Sequence, residues 1–144
     1  MPRPACNRRA GNHSSIEWAG FDANISGLLN ACDVVVLPFP VAAGYSHPPL
    51  TLLEALAHGK PVIASRIGSL PEFVEHGKEG LLVEPGDELG LEEALIQLAT
   101  VDRTEMGRRS RWRAARLPNW ESIAKRTVAV YEQVLAAPAG PRPS

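Results

Sequence analysis

An α/β domain on a parallel sheet is the fold class this chain predicts, and three observations predict it. After Asp33, Val34, Val35, Val36 and Leu37 form an unbroken apolar run rich in β-branched side chains, the pattern of a strand buried on both faces of a parallel sheet. A helical stretch follows, with Pro48 and Pro49 pre-setting φ at its start and Gly59 placed to end it. Pro61 then opens a second apolar run, Val62, Ile63 and Ala64, so residues 33–65 read as one strand–loop–helix–strand unit. About four parallel strands are expected, over residues 16–20, 33–37, 61–65 and 81–83, flanked by helices in a three-layer arrangement.

Residues 1–15, MPRPACNRRAGNHSS, lack periodicity and are expected to be a disordered arm, with Arg3, Arg8 and Arg9 in solvent. The ordered domain is expected over residues 16–136. IEWAG at 16–20 alternates well enough for a short strand, Phe21 is assigned to the core, and a helix is expected over residues 24–32. In the central helix Leu50, Leu52, Leu53, Ala55, Leu56 and Ala57 are apolar, which predicts burial over most of its circumference. Thr51, Glu54 and His58 interrupt that surface on one face. Glu54 has two readings: a carboxylate favoured by the positive end of the helix dipole, or an acceptor for ligand hydroxyls in the crevice above the strand ends, where open α/β sheets bind ligands.

Further along, Ser69 and Glu72 have the spacing of a capping box for a helix ending near His76. Gly77 and Gly80 turn the chain into Leu81, Leu82 and Val83, and Asp87 is a good N-cap for a helix whose Leu91, Ala94, Leu95 and Leu98 share a stripe. Residues 102–116 carry Arg103, Arg108, Arg109, Arg111, Arg113 and Arg116. These arginines occur all around the helix without an apolar stripe, which predicts a solvated surface helix; no nucleic-acid partner is expected, and peripheral membrane contact has no support in the pattern. Asn119 caps a last helix with Trp120, Ile123, Ala124, Thr127, Val130, Tyr131 and Val134 along one side. Residues 137–144 are expected to be a disordered tail.

Several motifs, in order, carry a family resemblance. PPLTLLEALAHGKPVIAS, followed by IGSLPEFV and then GLLVEPGD, resembles the C-terminal, donor-binding half of retaining glycosyltransferases of the two-Rossmann-domain (GT-B) type, the group 1 or family 4-like enzymes that include sucrose and glycogen synthases. The resemblance covers residues 16–135 and implies a Rossmann-like domain that is incomplete, lacking the first strands and helices with the Arg and Lys that grip the donor diphosphate. It implies that Glu54, matching the second Glu of a Glu-x7-Glu motif, binds the donor ribose hydroxyls. Ser46 stands where the first Glu would be and can hydrogen-bond a hydroxyl but supplies no charge. Pro48 and Pro49 have no N–H, which leaves the Leu50 and Thr51 amides, with the Thr51 hydroxyl, for the diphosphate; His47 is a further candidate donor contact.

The resemblance thus implies transfer of a sugar from a nucleotide diphospho-sugar, with retention. The acceptor-binding N-terminal domain or a partner chain is missing, no catalytic residue is assigned, and the isolated chain is expected to be inactive. Two other readings fit the same residues: a non-catalytic nucleotide-binding or interaction module, and a sugar-nucleotide epimerase of the same architecture. The last helix is expected to expose apolar surface that a full-length partner domain would cover, and self-association of the isolated chain is expected from it.

Composition bounds these readings. A chain of 144 residues with 44% hydrophobic content supports one domain and not two. Fifteen basic and 16 acidic residues leave a formal charge of −1, with no general attraction to nucleic acid or membrane. Cys6 and Cys32 read as unpaired thiols of a cytoplasmic protein, and the N-terminus lacks the apolar core of a signal peptide. The histidines make no metal-ligand spacing and no Asp-x-Asp occurs, so neither a metal nor a cofactor is expected. The phosphate-cradling and dinucleotide glycine motifs are also missing.

Overall fold

The structure, a computed structural model, describes residue 16 and residues 24–41 and 48–136. In chain order these form α1 (Ile25–Ala31), β1 (Val35–Leu37), α2 (Leu50–Ala57), β2 (Val62–Ser65), α3 (Leu70–Phe73), β3 (Gly80–Val83), α4 (Glu88–Thr100), α5 (Thr104–Ala114) and α6 (Trp120–Ala136). The strands pair in parallel in the order β1-β2-β3, with Val35 opposite Val62 and Val62 opposite Gly80. This is the expected α/β architecture, Rossmann-like, with three strands among the described residues. The expected strand at 16–20 lies outside them beyond Ile16, as do the two terminal segments, Phe21, and the expected donor contacts Ser46 and His47.

Successive strand residues point to opposite faces, and two cores result. Val62 and Ala64 of β2, with Leu37 and Leu82, pack against Leu29 of α1, Leu52, Ala55 and Leu56 of α2, and Leu70 of α3. Ile63 and Leu81 turn the other way, onto Ala94 and Leu98 of α4. The sheet is therefore the middle of three layers. All four residues of β2 are buried, whereas Val35 and Val36 of β1 are only half-buried. The sequence assigned two-sided burial to the DVVVL run, but it is the shorter VIAS run, the middle strand of the three described, that has it, with α1, α2 and α3 covering one face and α4 the other.

Four other expectations are corrected. α2 buries only Leu52, Ala55 and Leu56, and Leu50 is 74% exposed, so a single face meets the sheet. Ser69 takes an αR conformation and its side chain makes no capping bond; α3 stops at Phe73, short of His76, so the capping box does not form. Leu95 is exposed, leaving Leu91, Ala94 and Leu98 as the inner stripe of α4. α5 is not solvated all round. Its Gly107 and Ser110 are buried, with Ser110 Oγ donating to the Glu79 carbonyl at 3.3 Å and Gly107 lying so close to α2 that a Cβ there would sit 2.5 Å from the Gly59 carbonyl oxygen.

The caps placed at Asp87 and Asn119 form, with Gly90 N–H donating to Asp87 Oδ1 at 2.9 Å and Ser122 N–H to Asn119 Oδ1 at 2.8 Å. Asn24 caps α1 in the same way, through Gly27 N–H. Gly59, at φ 69°, ends α2 as expected. α6 buries none of its residues.

Candidate functional site

Because β1 and β2 are parallel, α2 must carry the chain back from the C-terminal end of β1 to the N-terminal end of β2. Its first turn, Leu50 and Thr51, therefore lies at the end of the sheet where the strands Leu37, Ser65 and Val83 finish. Parallel α/β sheets bind ligands at that end. Pro49 precedes the helix without a side-chain cap, and the first amide of α2 with an acceptor among the described residues is Leu52 N–H, bonded to the Pro49 carbonyl at 2.9 Å. The Leu50 and Thr51 amides come before it, at the positive end of the helix dipole.

Glu54 lies one turn further on. Its side chain is exposed, and no hydrogen bond or ion pair holds its carboxylate among the described residues. Its carbonyl is occupied: His58 N–H donates to it at 2.9 Å and His58 Nδ1–H at 2.8 Å. A carbonyl only accepts, so Nδ1 carries the proton and Nε2 accepts from the Ser26 hydroxyl at 3.0 Å. This bridge ties α1 to the C-terminal turn of α2. It separates two roles on the polar face of α2: His58 fastens the helix, and Thr51 and Glu54 remain open to solvent. The sequence placed the three on one face but gave no sign of Ser26, which is 32 residues away.

Arg66 is a residue that the sequence reading missed. It follows β2 directly, its N–H donates to the Val83 carbonyl at 2.7 Å, and its guanidinium pairs with Glu84 at 3.0 Å. This cation therefore stands at the C-terminal end of the parallel strands. The signal available was its position as the first charged residue after the apolar VIAS run.

The shifted titrations among the described residues cluster elsewhere, at the start of α5. Hydrogen bonds from Arg108 and then Arg109 hold the Glu105 carboxyl at about 2, and Glu105 in turn raises Arg108. The hydroxyl and then the amide of Thr104 lower Asp102. Among the described residues no group of His, Cys, Asp and Glu is arranged to hold a metal, and no helix is long and apolar enough to cross a membrane. Cys32 is a free, half-buried thiol whose Sγ–H donates to the Leu29 carbonyl at 3.4 Å.

Residues 2–100 match the glycosyl transferases group 1 family. The chain belongs to that family. It corresponds to part of the C-terminal half of such a protein. It is 37% identical over 118 residues to the MMP alpha-(1->4)-mannosyltransferase of Mycolicibacterium hassiacum, a match covering 80% of this chain and 28% of that protein. Among solved structures it is similar to the sucrose-phosphate synthase of Thermosynechococcus elongatus, with a TM-score of 0.63, 35% identity, and coverage of 76% and 27% of the two chains. It is also similar to the Anabaena protein Alr3699/HepE in complex with UDP and glucose, with a TM-score of 0.71, 26% identity, and coverage of 87% and 34%. The chain thus spans about a quarter to a third of the length of these relatives.

Proposed function

We propose that this chain is the donor-binding portion of a cytoplasmic glycosyltransferase that transfers a sugar from a nucleotide diphospho-sugar with retention. The observation that carries this reading is Glu54, an exposed carboxylate without a partner among the described residues, following a helix start that offers the Leu50 and Thr51 amides at the ligand end of the sheet. In this reading Glu54 accepts hydrogen bonds from both ribose hydroxyls, the two amides and the Thr51 hydroxyl meet the diphosphate, and Ser46 and His47 line the sugar side. Charge-assisted bonds of this kind contribute about 1.5–3 kcal/mol each. The similarity to a protein solved with UDP and glucose supports the ligand class. No metal or cofactor enters the scheme.

Transfer between two domains needs an acceptor wall and closure that excludes water. We infer that the 144 residues alone hold a donor and do not turn it over, and that the remaining wall comes from an N-terminal acceptor domain or a partner chain. A second reading, an interaction module, is favoured by one feature, the exposed apolar side of α6, and would show itself as self-association. Calorimetric titration with UDP, GDP and their sugars separates the two. Binding that disappears in Glu54→Ala supports the donor site; no binding by any nucleotide, in a protein that self-associates, supports the module. Robust transfer or donor hydrolysis by the purified chain would overturn the inference of inactivity.

A further inference from the structure

A cavity of about 590 Å³ opens at the opposite end of the sheet from the donor site, where the segments leading into β1 and β2 meet the start of α5. Cys32, Pro61 and Val101 contribute apolar wall, and Lys60, Arg103, Arg108 and Arg111 bring four cations against two carboxylates, Asp33 and Asp102. The pairing within the cavity is incomplete. Asp102 is taken up by Thr104, accepting from its amide at 2.9 Å and its hydroxyl at 2.6 Å. Arg108 is held by Glu105 at 2.7 Å, and Arg103 donates to the Leu98 carbonyl at 2.5 Å while reaching Asp33 at 3.5 Å.

Two of the four cations, Lys60 and Arg111, have no carboxylate partner among the described residues. Among the described residues Lys60 Nζ makes one bond, to the Asn30 carbonyl at 3.0 Å, although an ammonium has three donors. The Arg111 guanidinium has no hydrogen-bond or ion-pair partner among the described residues, and its side chain lies across Gly59, the residue before Lys60. Both residues line the cavity, and Arg111 packs against the residue that precedes Lys60 in the chain.

We propose that this cavity binds a phosphate monoester of a small polyol or sugar, with Lys60 and Arg111 on the phosphate and Asp33 accepting from hydroxyls of the organic body. A phosphate oxygen cluster is the acceptor that suits an ammonium beside a guanidinium fork. The volume lies within the range of roughly 300–1,000 Å³ usual for small-molecule sites and exceeds one bare phosphate, which leaves room for an organic body beside it. The site uses none of the donor-site residues and stands whether or not Glu54 holds a ribose.

Calorimetric titration of the 144-residue protein with ribose 5-phosphate, inorganic phosphate and ribose tests the assignment. Ribose 5-phosphate is expected to bind at least about tenfold more tightly than either fragment, and more weakly as ionic strength rises. Arg111→Gln and Lys60→Gln are each expected to weaken it about tenfold, with Glu54→Ala leaving it unchanged. Arg111 is exposed and makes no side-chain hydrogen bond or ion pair among the described residues, so its variant keeps the test valid if Lys60→Gln fails to fold. The proposal is overturned by no binding of the ester or by inorganic phosphate binding as tightly. It is equally overturned by binding that survives Arg111→Gln, or by binding lost in Glu54→Ala, which would place the ester in the donor site.

Discussion

Gly80 begins β3 opposite Val62, and a methyl group there has nowhere to go. A Cβ built on its backbone would stand 1.8 Å from the Val62 carbonyl oxygen and 2.8 Å from the Val62 nitrogen, both main-chain atoms of the central strand. Ordinary carbon contacts lie at about 3.5 Å, so Gly80→Ala must push β2 and β3 apart by well over an ångström where neighbouring strands are spaced about 4.8 Å. The bonds at risk are Val62 N–H to the Glu79 carbonyl, 3.2 Å, and Gly77 N–H to the Gly80 carbonyl, 2.7 Å. Overpacking at about 1–3 kcal/mol, with two hydrogen bonds at about 1 kcal/mol each, gives a loss of roughly 3–5 kcal/mol. At about 4 °C per kcal/mol, the melting temperature falls by roughly 12–20 °C. Gly77 supplies the control: it has φ 81° with nothing within 4 Å, so Gly77→Ala meets only the left-handed backbone penalty of about 1–2 kcal/mol. Thermal and urea unfolding followed by circular dichroism compare the two. A drop for Gly80→Ala no larger than that for Gly77→Ala would refute the reasoning.

Glu54→Ala is expected to weaken nucleotide binding by about tenfold or more while leaving the melting temperature within about 1 °C, since the side chain is exposed and unpaired among the described residues. Gly107→Ala, which in an exposed helix would stabilise by about 1 kcal/mol, is expected to destabilise instead, because its Cβ meets the Gly59 carbonyl oxygen at 2.5 Å; a raised urea midpoint would contradict the close α2–α5 packing. The Glu105 carboxyl sits at about 2, below its ordinary 4.5, so its pairing with Arg108 and Arg109 stabilises the fold above pH 4.5 and is lost as pH falls toward 2. Glu105→Gln should flatten the stability profile in that window and nowhere else, and parallel parent and variant curves would count against the pairing.

The sheet was legible in the sequence because the runs VVVL, VIAS and GLLV are bounded by prolines and glycines, and the cap residues Asp87 and Asn119 act through bonds only three residues long. What escaped depends on distant neighbours. Gly107 and Ser110 are too small to mark an apolar stripe, yet their smallness is what lets α5 approach α2, so counting arginines gave the wrong environment. Ser69 and Glu72 have the spacing of a capping box, but the αR backbone at Ser69 is not the extended conformation a capping residue needs. At the candidate site the sequence identified the residue types at Leu50, Thr51 and Glu54. It did not reveal that His58, on the same face, is committed to Ser26, or that Arg66 stands at the strand ends.

The bareness of α6 carries a consequence for cooperativity. Trp120, Tyr131, Val134 and Leu135 are all more than 60% exposed, and no residue of the helix is buried. A helix of 17 residues that buries no side chain is only marginally formed in water. Its amide protons should therefore exchange through local fraying, independently of the global opening that protects β2. On heating, helical signal should begin to fall before the sheet melts, giving a sloping baseline in place of a single sigmoid. The chain then behaves as two thermodynamic units: a cooperative body ending near α5 and a terminal helix whose order is set by whatever surface it meets.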